Sequence, residues 1–266
     1  MPSGVKKITA FVQNLVRDVL DNELIEVSGE ITYKLMLSIF PLITFLLSLL
    51  GFLHLDISLL NELIVRYIPE SIHALLMEFV QTLSRERNAT MLSVSVFIAL
   101  FSSSSGFRSM MRGINKSYGI KDERPFPVRF AISIALTLVF IAAIIVAIVA
   151  IVFRDSLLRL FARYALVGDT FVGFLSYAAT FGVIFITTTL IYMISARKRF
   201  RRVLPGSLLS VILWLIFTRL FNLYVTTFPA FTLYRGIAST FVMLLWLNII
   251  SVIMLVGAQV NANVGK

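Results

Sequence analysis

A single arginine, Arg219, stands inside a long apolar stretch running from about residue 203 to 228. A charged side chain at the centre of a bilayer costs at least ~2.5–3.5 kcal/mol, so such a group is expected to face other helices or a wet cavity. Ser207, Ser210, Trp214, Thr218, Asn222 and Thr226 recur along almost one side of the same stretch, with Arg219 one step round. No other apolar stretch carries an acid at that depth. The counter-charge is then either Asp56 or Glu62 reaching in from a loop, or an anionic substrate. The planar guanidinium, with five donors, suits carboxylate or phosphate better than a point charge does. The expectation is a water-accessible cavity containing Arg219, Asn222, Thr218 and Trp214, with Asn248 from the last apolar stretch. The plainer reading is that Arg219 snorkels to the outer interface while its polar neighbours bond between helices.

Two further groups could act. Ser104, Arg108, Arg112 and Lys116 are spaced by four and share one helix face. Three stacked cations at the end of an apolar stretch make a site for anionic lipid headgroups; the plainer reading is ordinary positive-inside anchoring. The basic run from Arg197 to Arg202 would enlarge the patch if the two loops meet. Glu30, Lys34, Ser38 and Pro41 fall nearly on one face of the first apolar helix. Glu four residues before Lys is a favourable helical pair, worth ~0.2–0.5 kcal/mol. Pro41 removes a backbone hydrogen bond and can expose carbonyls. Ser38 and Pro41 are therefore cavity candidates, or a structural kink beside a surface pair. Gln259 and Asn261 read as polar contacts between helices.

Enzymatic chemistry finds little support. The chain has no cysteine and two histidines, His54 and His73. Metal-assisted phosphodiester cleavage needs clustered carboxylates or histidines. The one adjacent acidic pair, Asp122-Glu123, lies between Lys121 and Arg124 and reads as a solvated turn. No Ser-His-Asp set or phosphate-cradling glycine loop can be assembled. No catalytic residue, metal ligand or cofactor is expected.

The elements that must position these groups are membrane helices. The 266 residues are 58% hydrophobic and 14% charged, against about 25% charged for a soluble domain. Apolar runs of about 20 residues span a bilayer as helices, because lipid leaves every backbone amide to be satisfied internally. Six runs qualify, at about 35–53, 88–107, 130–153, 170–196, 203–228 and 236–265, which predicts a single all-α membrane domain, 1–266. Residues 1–34 are expected as a cytoplasmic segment whose apolar residues follow helical spacing. Leu59–Leu83 and Ser156–Ala165 read as short amphipathic helices, in the interface plane or on the bundle rim. No cleavable signal peptide is read in the first thirty residues. With the N-terminus cytoplasmic, sixteen Lys and Arg flank the inner side and seven the outer, so both termini are expected inside. The net charge of +10 then serves topology, and nucleic acid is not an expected partner.

Three stretches resemble the YihY/BrkB family of bacterial inner-membrane proteins, once labelled ribonuclease BN-like. They are Leu35 to Leu53 with its Ser-x-Phe-Pro-Leu core, Phe101 to Gly119, and Arg201 to Ala262 with Leu-Pro-Gly, Leu-Trp, Tyr-Val and Gly-Ala-Gln-Val-Asn features. The resemblance implies six membrane helices, with transport as the suspected function. The chain departs at Gly29–Lys34 and at Tyr234-Arg235-Gly236, both times adding charge.

The expected function is a transporter or lipid-translocating protein for an anionic or amphiphilic substrate. The alternative is a non-catalytic scaffold that docks partners through basic loops and amphipathic segments. Expected partners are membrane lipids, with anionic headgroups at the cytoplasmic face, and a second copy of the chain or an envelope protein.

Overall fold

A computed structural model describes residues 3–52, 89–163, 169–227 and 235–264. These residues form seven helices and no strand: α1 (Ser3–Asp21), α2 (Leu24–Phe52), α3 (Ala89–Ser117), α4 (Phe126–Arg163), α5 (Asp169–Ala196), α6 (Phe200–Thr227) and α7 (Arg235–Val264). Phe126–Val146, Phe200–Val225 and Thr240–Val264 are long and apolar enough to cross a membrane, and Phe181–Ala196 is a shorter apolar helix.

The helices overrun the apolar runs that predict them. The expected N-terminal segment 1–34 divides: α1 ends at Asp21, and residues 24–34 are the first turns of α2. Ser156 to Arg163 continues α4 as one helix instead of forming a separate amphipathic piece. Backbone hydrogen bonding propagates a helix past its apolar stretch until a residue stops it. The stop after α1 is Glu23, at a left-handed φ of 48°, a conformation costing roughly 1–2 kcal/mol for a residue with a Cβ. The stop after α3 is Gly119, φ 63°, where the Ile120 amide bonds back to the Asn115 carbonyl at 2.9 Å, the usual glycine termination. Leu59–Leu83, with His54 and His73, lies outside the described residues.

The most buried of the apolar stretches is that of α7, which packs on α6, α2, α3 and α1. Its crossing with α6 is close because both helices present glycine. A Cβ on Gly206 would collide with the Gly257 carbonyl oxygen, and one on Gly257 with the Ser210 hydroxyl. Small residues let helix backbones approach in this way. Asn261 Oδ1 accepts from the Gly206 amide at 2.6 Å, next to Pro205, which has no amide hydrogen of its own. At the same C-terminal end of α7, Asn263 donates to Asp18 at 2.8 Å and Asn22 donates to Gln259 at 3.0 Å. These bonds seat α1 against the α7 terminus.

Candidate functional site

A shallow, open cleft of about 300 Å³ runs along the α2–α7 contact, lined by Gly29, Thr32, Tyr33, Phe241, Leu244, Leu245 and Asn248. Asn248 lies thirteen residues from the start of α7, about 20 Å along its axis and so near its midpoint. Its amide nitrogen donates to Ser28 Oγ at 3.2 Å and Thr32 Oγ1 at 3.3 Å. Both hydroxyls in turn donate to α2 carbonyls, Ser28 to Ile25 and Thr32 to Ser28. The cleft wall is thus mostly apolar; its polar groups are the Asn248 amide and the Thr32 hydroxyl, held in fixed directions, and the hydroxyl of the exposed Tyr33.

One turn further round, α2 and α3 are joined by charge. Glu30 Oε1 accepts from Lys34 at 2.5 Å, from Ser109 at 3.1 Å and from Arg112. Lys116 reaches Glu23 at 2.6 Å, and its positive charge and hydrogen bond hold the Glu23 carboxyl below the usual carboxylate range. Arg112 and Lys116 are therefore each matched with a carboxylate of the facing chain segment. Arg108 differs. Its guanidinium is held by the Ser104 and Ser133 hydroxyls at 2.9 and 3.4 Å and lies 5.2 Å from the Phe130 ring centre. The structure thus splits the three stacked cations into two interhelical clamps and one arginine without a carboxylate among the described residues.

The two basic loops do meet. Lys198 sits 5.7 Å from the Tyr118 ring centre. Arg124 accepts no exposure to solvent beyond 7%, bonding the Ser195 carbonyl at 2.7 Å and Asp122 at 2.7 Å. A cation at the last carbonyls of α5 complements the negative end of that helix.

Arg219 is exposed, as are Leu215, Ile216, Leu220 and Leu223 on the same helix. The polar stripe and the arginine part company: Trp214, Thr218 and Asn222 are half-buried, while Ser207 and Ser210 are fully buried. A helical step of about 100° separates Thr218 from Arg219, enough to move from the packed face to the outer one. Of the expected cavity residues, Asn248 lines the cleft. Arg219, Asn222, Thr218 and Trp214 do not, nor do Ser38 and Pro41. Ser38 is buried and bonds back to the Leu35 carbonyl at 2.8 Å. Gln259 and Asn261 bond between elements as expected.

Sequence reasoning missed Ser28, Gly29, Thr32 and Tyr33 because it assigned them to the N-terminal segment. The usable signal was their spacing: Ser28 and Thr32 are four apart and in register with the Glu30–Lys34 pair one face over. Among the described residues, no three His, Cys, Asp or Glu side chains converge on a metal-sized space.

A bundle of long apolar helices, two of them sealed at a glycine crossing, defines a helical integral membrane protein. The chain belongs to the Virulence factor BrkB family, whose model matches residues 15–266. It is 29% identical over 246 residues to the ribonuclease-like protein YfkH of Bacillus subtilis, covering 90% of this chain and 89% of that one. It is 24% identical over 253 residues to the UPF0761 membrane protein PSHAa0171 of Pseudoalteromonas translucida, covering 91% and 82%. A UPF0761 membrane protein of Vibrio atlanticus is 27% identical over 256 residues, covering 90% and 77%. No solved structure matches the chain.

Proposed function

We propose that this protein translocates an amphiphilic substrate, such as a lipid, across the bacterial inner membrane, with the polar part of the substrate passing the α2–α7 cleft at Asn248. The observation that carries the reading is the cleft itself: a polar amide near the midpoint of a helix long enough to cross a bilayer, on an open wall that is mostly apolar. Apolar walls with a few placed polar groups suit an amphiphile better than a free anion. Polar groups at mid-helix are costly in hydrocarbon and are kept where they face partners or a path. Arg219 is exposed and lies outside the lining of this cleft. Both termini are taken to face the cytoplasm, on the charge asymmetry of the loops. The reading makes the protein non-enzymatic. Mg²⁺-dependent RNA cleavage lost on changing one carboxylate would overturn that part.

The test is lipid exchange in reconstituted vesicles. Fluorescent phospholipid on the inner leaflet is protected from a membrane-impermeant quencher unless it is moved outward. Wild-type protein should remove that protection, Asn248→Leu and Thr32→Val should slow the loss several-fold, and Arg219→Gln should leave it unchanged. Protection equal to that of protein-free vesicles, or full activity in Asn248→Leu, rejects the proposal.

The scaffold reading has one observation in its favour. Phe11, Val12, Val16 and Leu20 are exposed along α1, on a helix already fixed to α7. Deleting α1 would then abolish partner recovery while lipid exchange persists.

A further inference from the structure

We propose that Arg108 is the phosphate-binding residue of an anionic phospholipid site on the α3–α4 face, distinct from the α2–α7 cleft. The argument begins with charge accounting. Arg112 and Lys116, on the same helix face, each contact a glutamate, Arg112 sharing Glu30 with Lys34. Arg108 has two serine hydroxyls and an aromatic ring instead. These groups orient the guanidinium and supply no negative charge. Its Nη1 makes both serine bonds, so Nε and Nη2 have no partner among the described residues, and a guanidinium presents such donors as a planar fork that fits phosphate oxygens in pairs.

The surroundings select a lipid over a free phosphate. Phe130, under the guanidinium, is the centre of a row of three rings. Phe101 lies 6.3 Å and Phe126 6.1 Å from it, centre to centre. The outer two rings are 58% and 63% exposed, and Phe97 and Ile98 extend the exposed apolar surface along α3. A headgroup phosphate on Arg108 would set its acyl chains against these rings. Such an arrangement of cation beside exposed aromatics has no use for a water-soluble anion, which gains nothing from the rings. Serine hydroxyls from two helices, Ser104 on α3 and Ser133 on α4, fix the arginine from both sides. The site therefore depends on the α3–α4 contact and not on one helix alone.

The experiment uses the full-length protein in detergent, with lipid retention read by native mass spectrometry. Phosphatidylglycerol and sn-glycerol 3-phosphate, a water-soluble phosphate ester without acyl chains, are the probes. Arg108→Gln should weaken phosphatidylglycerol retention roughly tenfold, the loss of a charge-assisted contact. Arg108→Lys should recover part of it, because it keeps charge and loses the fork. Phe101→Ala with Phe126→Ala should weaken the lipid without altering glycerol phosphate binding. Arg112→Gln and Lys116→Gln should leave retention at the wild-type level. Wild-type retention in Arg108→Gln overturns the proposal. So does an equal drop in Arg112→Gln and Lys116→Gln, which would mean diffuse attraction to a basic surface. Glycerol phosphate bound as tightly as the lipid overturns the choice of ligand. If Arg108→Gln fails to fold, Ser104→Ala with Ser133→Ala keeps the charge. Retention should then fall several-fold, and unchanged retention overturns the site.

Discussion

Tyr192 on α5 donates its hydroxyl hydrogen toward the Met254 carbonyl of α7 at 2.6 Å, and Ser210 Oγ of α6 lies 2.7 Å from the same tyrosine hydroxyl. One buried phenol thus ties three helices at a single point, beside the glycine crossing of α6 and α7. Tyr192→Phe removes this donor and leaves Ser210 only its longer bond to the Ile253 carbonyl, 3.3 Å. The expected loss is about 0.5–1.5 kcal/mol, read as a lower unfolding temperature of the purified protein. An unchanged temperature would show that water or a shifted Ser210 replaces the bond without cost.

Gly206 and Gly257 leave no room for a methyl group, whereas a Cβ at Gly182 meets nothing within 4 Å. Gly257→Ala should destabilise by about 1–3 kcal/mol through overpacking. Gly182→Ala should be neutral or stabilise by roughly 0.5–1 kcal/mol, as expected for glycine in a helix interior. Thermal unfolding of the two variants side by side separates crowding from propensity. Equal behaviour would mean that α6 and α7 can move apart freely.

Glu30 and Arg112 are 42% and 45% exposed at their side chains, so their direct coupling is modest. A double-mutant cycle of Glu30→Gln and Arg112→Gln should give about 0.2–1 kcal/mol. A larger value would mean that water is excluded around the pair by a further element or a bound lipid.

Glu23 provides a pH test. Its folded carboxyl is held below its usual value by Lys116, while the unfolded chain titrates near ~4.3. A lowered folded pKa contributes stability that is fully present above the unfolded value and is lost as pH falls through the folded one. Wild type should therefore lose its advantage over Glu23→Gln as the pH drops below about 4. An advantage that is independent of pH would assign it to packing at the α1–α2 junction.

Orientation is testable with reporter fusions. Lys121 and Lys198 should read cytoplasmic, and His73 external, given the sixteen basic residues on one side and seven on the other. The opposite result at any of the three positions sinks the assignment of the termini.

Sequence by itself determined the class of the protein and its local pairs. Apolar runs of bilayer length with few charges oblige helices, since lipid offers no partner to an open backbone. The bond between Glu30 and Lys34 was legible because residues four apart on a helix are neighbours whatever else the chain does. Tertiary structure decided everything that depends on how a helix is rotated about its axis. Thr218 is half-buried and Arg219 exposed although they adjoin in sequence, because the side of α6 that meets its neighbours ends between them. Arg112 found Glu30 across 82 residues and Asn248 found Ser28 across 220, leaving Arg108 as the cation of its row without a carboxylate among the described residues. Spacing fixes which side chains share a face, but only the packing of one helix on another fixes where that face points and which charges it meets.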